Sequence, residues 1–157
     1  ELYQAAEEHS LFISFHTGIH RSRLGQSRVI NFDEIAWNFP RLKFSLEHVG
    51  GYHFFNEALA VLAVHLPAPW ETGTSNVFAG LTSVFTTPFN KFWHMSDEQL
   101  RELAGQVGAR QLIFGLDFPY NLEEHTRTGL RRVRELFGEQ DQSLILGGNL
   151  RRELGVP

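Results

Sequence analysis

The sequence predicts an α/β fold built on a parallel sheet, and three observations support this fold class. Four short, β-prone apolar segments start at residues 11, 42, 77 and 112, so successive starts lie 31, 35 and 35 residues apart. Each segment is almost continuously apolar, which is typical of strands buried on both faces of a sheet. Helical patterns lie between the segments, and a repeat of about 30 or more residues matches the β–α–β unit.

The order of the predicted elements is a helix followed by four strand–helix units. The predicted strands cover residues 11–15, 42–46, 77–81 and 112–116, with the sequences LFISF, LKFSL, VFAGL and LIFGL. Four such strands make either a small open sheet or half of an eight-stranded barrel. Length alone leaves both architectures open, because a complete barrel usually needs about 250 residues.

Capping residues and apolar periodicity predict the helices. Ser96 and Gln99 form a capping box, after which apolar residues recur at helical spacing. Further helices are predicted over residues 31–39, 55–66 and 121–138. Asn31 and Asn121 are the predicted caps of the first and last of these helices. Residues 143–155 are expected to form a short strand, a glycine turn and a final helix.

The composition is that of one globular domain spanning residues 1–157. The chain is 42% hydrophobic and 20% charged, which is close to the average for folded domains. A net charge of −4 does not favour nucleic acid or an anionic membrane as a partner. Because the chain has no cysteine, disulfides and thiolate ligands are excluded, and any metal must be held by histidines and carboxylates.

We expect a cytoplasmic protein. No apolar run approaches the roughly 20 residues of a membrane-spanning helix. The N-terminus also lacks the basic and then apolar order of a signal peptide. The chain begins at Glu1, inside a helical pattern and without Met, so we expect the gene to start further upstream.

Three of the four predicted strands end beside a side chain that can bind a metal or exchange a proton. His16 follows the first strand, His48 the second and Asp117 the fourth. Barrel enzymes build their active sites at the C-terminal ends of the strands, where imidazoles and a carboxylate can meet at one cation. Each residue taken singly is more often structural, a hydrogen-bonded histidine or a turn-forming aspartate. Their repetition at matching strand ends favours a functional site.

Five segments carry a resemblance to a known family. They are FHTG, FPRLKFSLEHVGG, NVFAGL, LIFGLDFPY and ILGGNLRREL. In this order and spacing they resemble the second half of the amidohydrolase-related family, the barrel hydrolases and decarboxylases similar to aminocarboxymuconate semialdehyde decarboxylase. The resemblance covers about residues 11–156. It implies that the chain forms strands five to eight of a (β/α)8 TIM barrel, as a single partial domain.

The resemblance also implies a metal site and the roles of its residues. In that family the histidine after strand five and the aspartate after strand eight bind a divalent metal, usually zinc. The histidine after strand six lies beside the metal-bound water. The implied ligands are therefore His16 and Asp117, the implied metal is Zn²⁺ with Mn²⁺ as an alternative, and the implied catalytic residues are His48 and Asp117.

The sequence departs from the family in one important respect. The family's first strand carries a His-x-His pair that supplies two further ligands, and this chain contains no His-x-His. Since catalytic zinc normally has three protein ligands, His16 and Asp117 make an incomplete site. We expect that an N-terminal half, with the missing strand, belongs to the complete protein or to a partner chain.

Three further residues are candidates for contact with the substrate. His20 and Arg21 lie on the loop after His16 and suit an acidic group of a substrate, although we favour a solvated loop as their interpretation. Trp93 belongs to the long segment 83–95, which is suited to close over a pocket.

The predicted function is a metal-dependent hydrolase that acts on a C–N or C–O bond of a small molecule. The first alternative is a decarboxylase on the same scaffold. The second is an inactive half-barrel that needs a partner chain. A homo-oligomer is compatible with each of these.

Overall fold

A computed structural model of the chain describes residues 1–21, 23–87, 91–121 and 123–157. Its centre is a four-stranded sheet in which neighbouring strands follow the order of the sequence, β1–β2–β3–β4. All three pairings are parallel, so the predicted parallel α/β fold is confirmed. The strands are β1 Phe12–His16, β2 Lys43–Glu47, β3 Val77–Gly80 and β4 Leu112–Ile113.

Helices join the strands and cover one face of the sheet. They are α1 Leu2–Glu8, α2 Asn31–Asn38, α3 Gly51–Val64, α4 Asp97–Val107, α5 Glu123–Leu136, α6 Glu139–Ser143 and α7 Asn149–Leu154. Short 3-10 turns occupy Leu24–Gln26, His48–Gly50 and Ala109–Gln111, and a π-helical turn occupies Leu144–Gly148. Among the helices in the described ranges, none combines the length and the apolar character needed to cross a bilayer.

The two faces of the sheet differ in chemistry. Phe44 and Leu46 of β2 are fully buried against the helices, and Phe44 packs on Phe15 of β1 with ring centroids 5.4 Å apart. The residues that alternate with them along the strand, Ser45 and Glu47, line a cavity on the opposite face. This alternation follows from the two-residue period of a strand. The cavity face is therefore partly polar, although the sequence predicts strands that are apolar on both faces.

Residues 143–146 do not form the predicted short strand. They continue α6 into the π-helical turn Leu144–Gly148. A run of three apolar residues such as 144–146 suits a buried helical turn as well as a strand, and here Ile145 is the buried residue of the turn. The carbonyl of Ile145 still accepts a hydrogen bond from the Phe114 N–H at 3.0 Å, so the helical turn takes the place of a strand beside β4.

Two other predictions differ in detail. Strand β4 has only two residues instead of the predicted five, because the chain leaves the sheet at Phe114 to bond the π-helical turn. Helix α2 begins at Asn31 itself, with Ile30 as the N-cap and no side-chain cap. The first N–H groups of the helix donate instead to the backbone carbonyls of residues 28–30 in the preceding turn. Glu57 Oε2 of α3 accepts hydrogen bonds from the N–H groups of Val29 and Ile30, just before the helix.

The capping box at the start of α4 is confirmed. The Ser96 hydroxyl accepts a hydrogen bond from the Gln99 N–H, and the Gln99 side chain accepts one from the Ser96 N–H. Asn121, the predicted cap of the last helix, donates its amide N–H groups to the Ser83 oxygen and to the Leu116 carbonyl, and its capping of α5 stays a prediction. The residue between Asn121 and the start of α5 lies outside the described residues.

Candidate metal and catalytic site

The side chains at the strand ends surround one cavity. It has a volume of about 420 Å³, and His16, His48 and Asp117 all line it. These three residues lie 32 and 69 positions apart along the chain, and the parallel register brings them to one edge of the sheet. The structure therefore brings these three side chains to one cavity.

A left-handed turn after β2 presents His48 to the cavity. Four successive residues, His48 to Gly51, have positive φ values of 65°, 50°, 73° and 62°. Thr17 secures the turn, because its hydroxyl donates to the Glu47 carbonyl at 2.5 Å and accepts from the Gly50 N–H at 2.8 Å. Gly18 approaches the Gly50 backbone so closely that a Cβ there would lie 2.9 Å from the Gly50 oxygen.

Hydrogen bonds define which nitrogen of each histidine carries the proton. His48 Nδ1 lies 2.8 Å from the Thr82 carbonyl oxygen, and His48 Nε2 lies 3.1 Å from His16 Nδ1. A carbonyl only accepts, so in neutral His48 the proton is on Nδ1 and Nε2 is an acceptor. His16 Nδ1 must then donate to His48, which leaves the lone pair of His16 Nε2 for a ligand.

Both rings are neutral at physiological pH. Burial, reinforced by the neighbouring His48 and His20, lowers the pKa of His16 from 6.5 to about 4. Burial also lowers the pKa of His48, and its hydrogen bond to Thr82 and the carboxylates of Asp117 and Glu47 offset only part of that effect. Neutral imidazole is the form that binds metals.

A second chain of hydrogen bonds fixes Asp117. The Ser83 hydroxyl donates to Asp117 Oδ2 at 2.9 Å, and Asn121 Nδ2 donates to the Ser83 oxygen at 2.6 Å. Asn121 also donates to the Leu116 carbonyl at 2.7 Å. Ser83 is fully buried, and both Ser83 and Asp117 have positive φ, at 59° and 57°. The backbone and the hydroxyl together set the direction of the carboxylate.

The donor set fits part of a zinc site. His16 offers an imidazole nitrogen with a free lone pair, and Asp117 offers carboxylate oxygen, which are both ordinary zinc ligands. The second nitrogen of His16 donates to an acceptor, as the outer nitrogen of a metal-bound histidine usually does. Within the described ranges, however, no three His, Cys, Asp or Glu side chains are grouped closely enough to hold a metal.

None of the three predicted substrate-contact residues belongs to the described lining of the cavity, but two of them, Trp93 and His20, contact the histidines. Trp93 stacks on His48 at 4.7 Å between ring centroids and meets His16 edge-on at 5.9 Å. Its indole N–H donates to the Ile19 carbonyl at 3.2 Å. The His20 ring lies 4.9 Å from His16, and Arg21 is exposed.

The sequence interpretation missed a carboxylate in the cavity. Glu47 lines the cavity directly before His48, and three hydroxyl groups donate to it, from Ser14, Ser45 and Thr82. Ser14 and His16, like Ser45 and Glu47, are two residues apart and so face the same side of their strands. This spacing of polar residues indicates a polar face on β1 and β2, whereas the sequence prediction treats both faces of the strands as apolar.

Comparison with known proteins identifies the family. The sequence profile described as Amidohydrolase matches residues 1–156, whereas no curated protein matches the sequence. The fold is similar to that of 5-carboxyvanillate decarboxylase from Sphingomonas paucimobilis, with 18% identity and a TM-score of 0.67 over 99% of this chain and 52% of that one.

Two further solved structures share the fold. An uncharacterized TIM-barrel protein from Bordetella bronchiseptica has 18% identity and a TM-score of 0.69, covering 98% of this chain and 49% of its own. An amidohydrolase from Burkholderia multivorans with bound zinc has 12% identity and a TM-score of 0.69, covering 99% and 56%. The chain thus spans about half the length of the structures it matches, which confirms the predicted half of a TIM barrel.

Proposed function

Because this chain belongs to the amidohydrolase family, we propose that the full-length protein is a metal-dependent hydrolase that cleaves a C–N or C–O bond of a small molecule. One observation carries the proposal. Two neutral imidazoles and the Asp117 carboxylate converge on one cavity at the C-terminal ends of parallel strands. Catalytic groups occupy this position in barrel enzymes.

His16 and Asp117 are the residues of this chain that hold the metal in our proposal. The metal is zinc, with manganese as the alternative, and a solved relative of the fold carries zinc. When bound, such a cation supplies a Lewis acid and lowers the pKa of water toward about 7. The further ligands come from the N-terminal half of the protein or from a partner chain, since the described residues do not supply three.

His48 and Asp117 move protons in this proposal. The bond from His48 Nδ1 to the Thr82 carbonyl, 2.8 Å long, holds the basic Nε2 toward His16 and the cavity. The Ser83 hydroxyl holds one oxygen of Asp117, so that this carboxylate is oriented to accept a proton during attack on the substrate. General acid–base catalysis requires such fixed directions.

A decarboxylase on the same scaffold is the second candidate. It is supported by the similarity of the fold to 5-carboxyvanillate decarboxylase. Measurement of released carbon dioxide together with the organic product separates the two candidates. Decarboxylation replaces a carboxylate by hydrogen without consuming water, whereas hydrolysis adds water across the cleaved C–N or C–O bond.

The test is the metal content of the purified full-length protein and of three variants. We expect His16→Ala and Asp117→Ala to lose zinc. His48→Ala should keep bound zinc, with an affinity lowered by no more than about 10- to 100-fold through the lost bond to His16, and should lose most of its turnover. His9→Ala is the matched control, because His9 is exposed at the end of α1. Full zinc occupancy or retained turnover in Asp117→Ala would refute the proposed roles.

A further inference from the structure

The carboxylate of Glu47 lies in the cavity among residues of β1, β2 and β3 and of the loop that follows β3. It pairs in register with His16 of β1 and with Gly80 of β3. Any Cβ at position 80 would overlap the Glu47 carboxylate, so the glycine provides the space for it. The carboxylate is therefore built into the same layer of the sheet as His16.

Hydrogen bonds occupy most of the carboxylate. Oε1 accepts from the hydroxyls of Ser14, at 2.6 Å, and Ser45, and Oε2 accepts from the Thr82 hydroxyl at 2.5 Å. A carboxylate has about four lone-pair positions. The three bonds leave one position on Oε2 without a partner among the described residues. The hydroxyls fix the carboxylate in place while keeping it able to accept one more hydrogen bond.

Within the described lining of the cavity, no cationic side chain balances the negative charge of Glu47. The described lining of the cavity contains two carboxylates, Glu47 and Asp117, and no lysine or arginine. A metal held by His16 and Asp117 would balance the second carboxylate and leave the first available to the ligand. The remaining walls include apolar side chains, Phe12, Ile113, Phe114 and Leu150.

We propose that Glu47 is a substrate-binding residue that selects a hydrogen-bond-donating group, an ammonium, amine or hydroxyl, and excludes a carboxylate at this position. The assignment of the ligand as a substrate rests on the proposed function, whereas the binding preference does not. A cavity of about 420 Å³ with apolar walls accommodates one ring that carries such a group. A carboxylate placed there would face a fixed like charge, and an ammonium would form a charge-assisted hydrogen bond.

The experiment uses metal-free full-length protein and three probes with the same ring, benzylamine, benzyl alcohol and benzoate. Calorimetric titration is expected to show tighter binding of benzylamine than of benzoate by about tenfold or more, since a hydrogen bond to a charged group contributes at least that factor. Glu47→Gln keeps the shape and removes the charge, and should lower this preference about tenfold. Glu135→Gln removes an exposed carboxylate of α5 and should leave the preference unchanged.

Two outcomes overturn the inference. One is a Glu47→Gln protein with the preference of the wild type, and the other is a wild type that binds no benzylamine at millimolar concentration. Should Glu47→Gln fail to fold, Ser14→Ala provides the test, because it keeps the carboxylate and vacates a position on Oε1. Benzylamine affinity should then be retained or increased, and its loss would contradict the proposal.

Zinc uptake by the same preparations separates this inference from the proposed function. A protein that takes up no zinc but shows the Glu47-dependent preference refutes the metal-dependent hydrolase alone. A protein that takes up zinc but shows no such preference refutes the role of Glu47 alone.

Discussion

Removal of the Ser83 hydroxyl tests whether Asp117 is held in place for a metal. Ser83→Ala deletes the donor that lies 2.9 Å from Asp117 Oδ2 and also deletes the acceptor of Asn121 Nδ2. Asn121 keeps its bond to the Leu116 carbonyl, so the loop that carries Asp117 remains anchored. The change therefore acts mainly on the direction of the carboxylate.

The size of the effect follows from the type of bond that is lost. A hydrogen bond to a charged group contributes about 1.5–3 kcal/mol, and about 1.4 kcal/mol corresponds to a factor of ten in an equilibrium constant. Residues that orient a metal ligand typically change metal affinity by about 10- to 100-fold when they are replaced. We therefore expect the zinc affinity of full-length Ser83→Ala to fall by about 10- to 100-fold.

Zinc affinity is measured by competition with a chromophoric chelator, and thermal unfolding of the metal-free protein shows whether the fold is retained. Ser143→Ala is the matched control, because Ser143 is an exposed serine at the end of α6. A Ser83→Ala protein that is folded and binds zinc within twofold of the wild type would show that the hydroxyl does not position Asp117.

Three further predictions concern the stability of the scaffold. Gly80→Ala should lower the free energy of unfolding by about 1–3 kcal/mol, because the new methyl group overlaps the Glu47 carboxylate; unchanged denaturant unfolding would contradict the packing. Arg132→Lys should also lower the free energy of unfolding by about 1–3 kcal/mol, since lysine cannot replace the bonds to Asp97 and to two backbone carbonyls of the preceding loop. A melting temperature equal to that of the wild type would contradict this role of Arg132. Burial lowers the pKa of His125 below 6.5. Its contribution to the free energy of unfolding is therefore fully present above pH 6.5, and it is lost as the pH falls because the unfolded chain takes up the proton more readily. Urea unfolding of His125→Asn should then depend less steeply on pH in this acidic range, and an unchanged pH dependence would exclude His125 as the cause.

The sequence predicted the elements whose signals are local. The capping box at Ser96 defined the start of α4, and continuous apolar runs located all four strands to within about one residue at their first position. The strand predicted over residues 143–146 is wrong because a serine followed by three apolar residues suits a helical turn as well as a strand. The preceding helix α6 and the bond from Phe114 to Ile145 decide between them, and both are tertiary features.

The sequence predicted the histidines and the aspartate of the candidate site, but it did not predict the hydroxyl groups. His16, His48 and Asp117 stand out because strand ends of a parallel sheet meet at one edge. The serines within β1 and β2 gave no comparable signal, because a single small polar residue in an apolar segment leaves the strand prediction unchanged and does not indicate a functional role. Their importance depends on Glu47, which also accepts hydrogen bonds from Ser14 and Thr82, 33 and 35 positions away. Such contacts follow only from the register of the sheet.

The left-handed turn from His48 to Gly51 has a consequence for the entropy of binding. A residue with a Cβ in this conformation is less stable by about 1–2 kcal/mol, and both His48 and Val49 adopt it. The packed core around Val49, which is fully buried, offsets this strain when the chain folds. The imidazole of His48 is thus immobilised between Trp93 and the Thr82 carbonyl before any ligand arrives. Immobilising a side chain on binding costs about 0.5–1.5 kcal/mol, and a ligand of this cavity is spared that loss of freedom at His48.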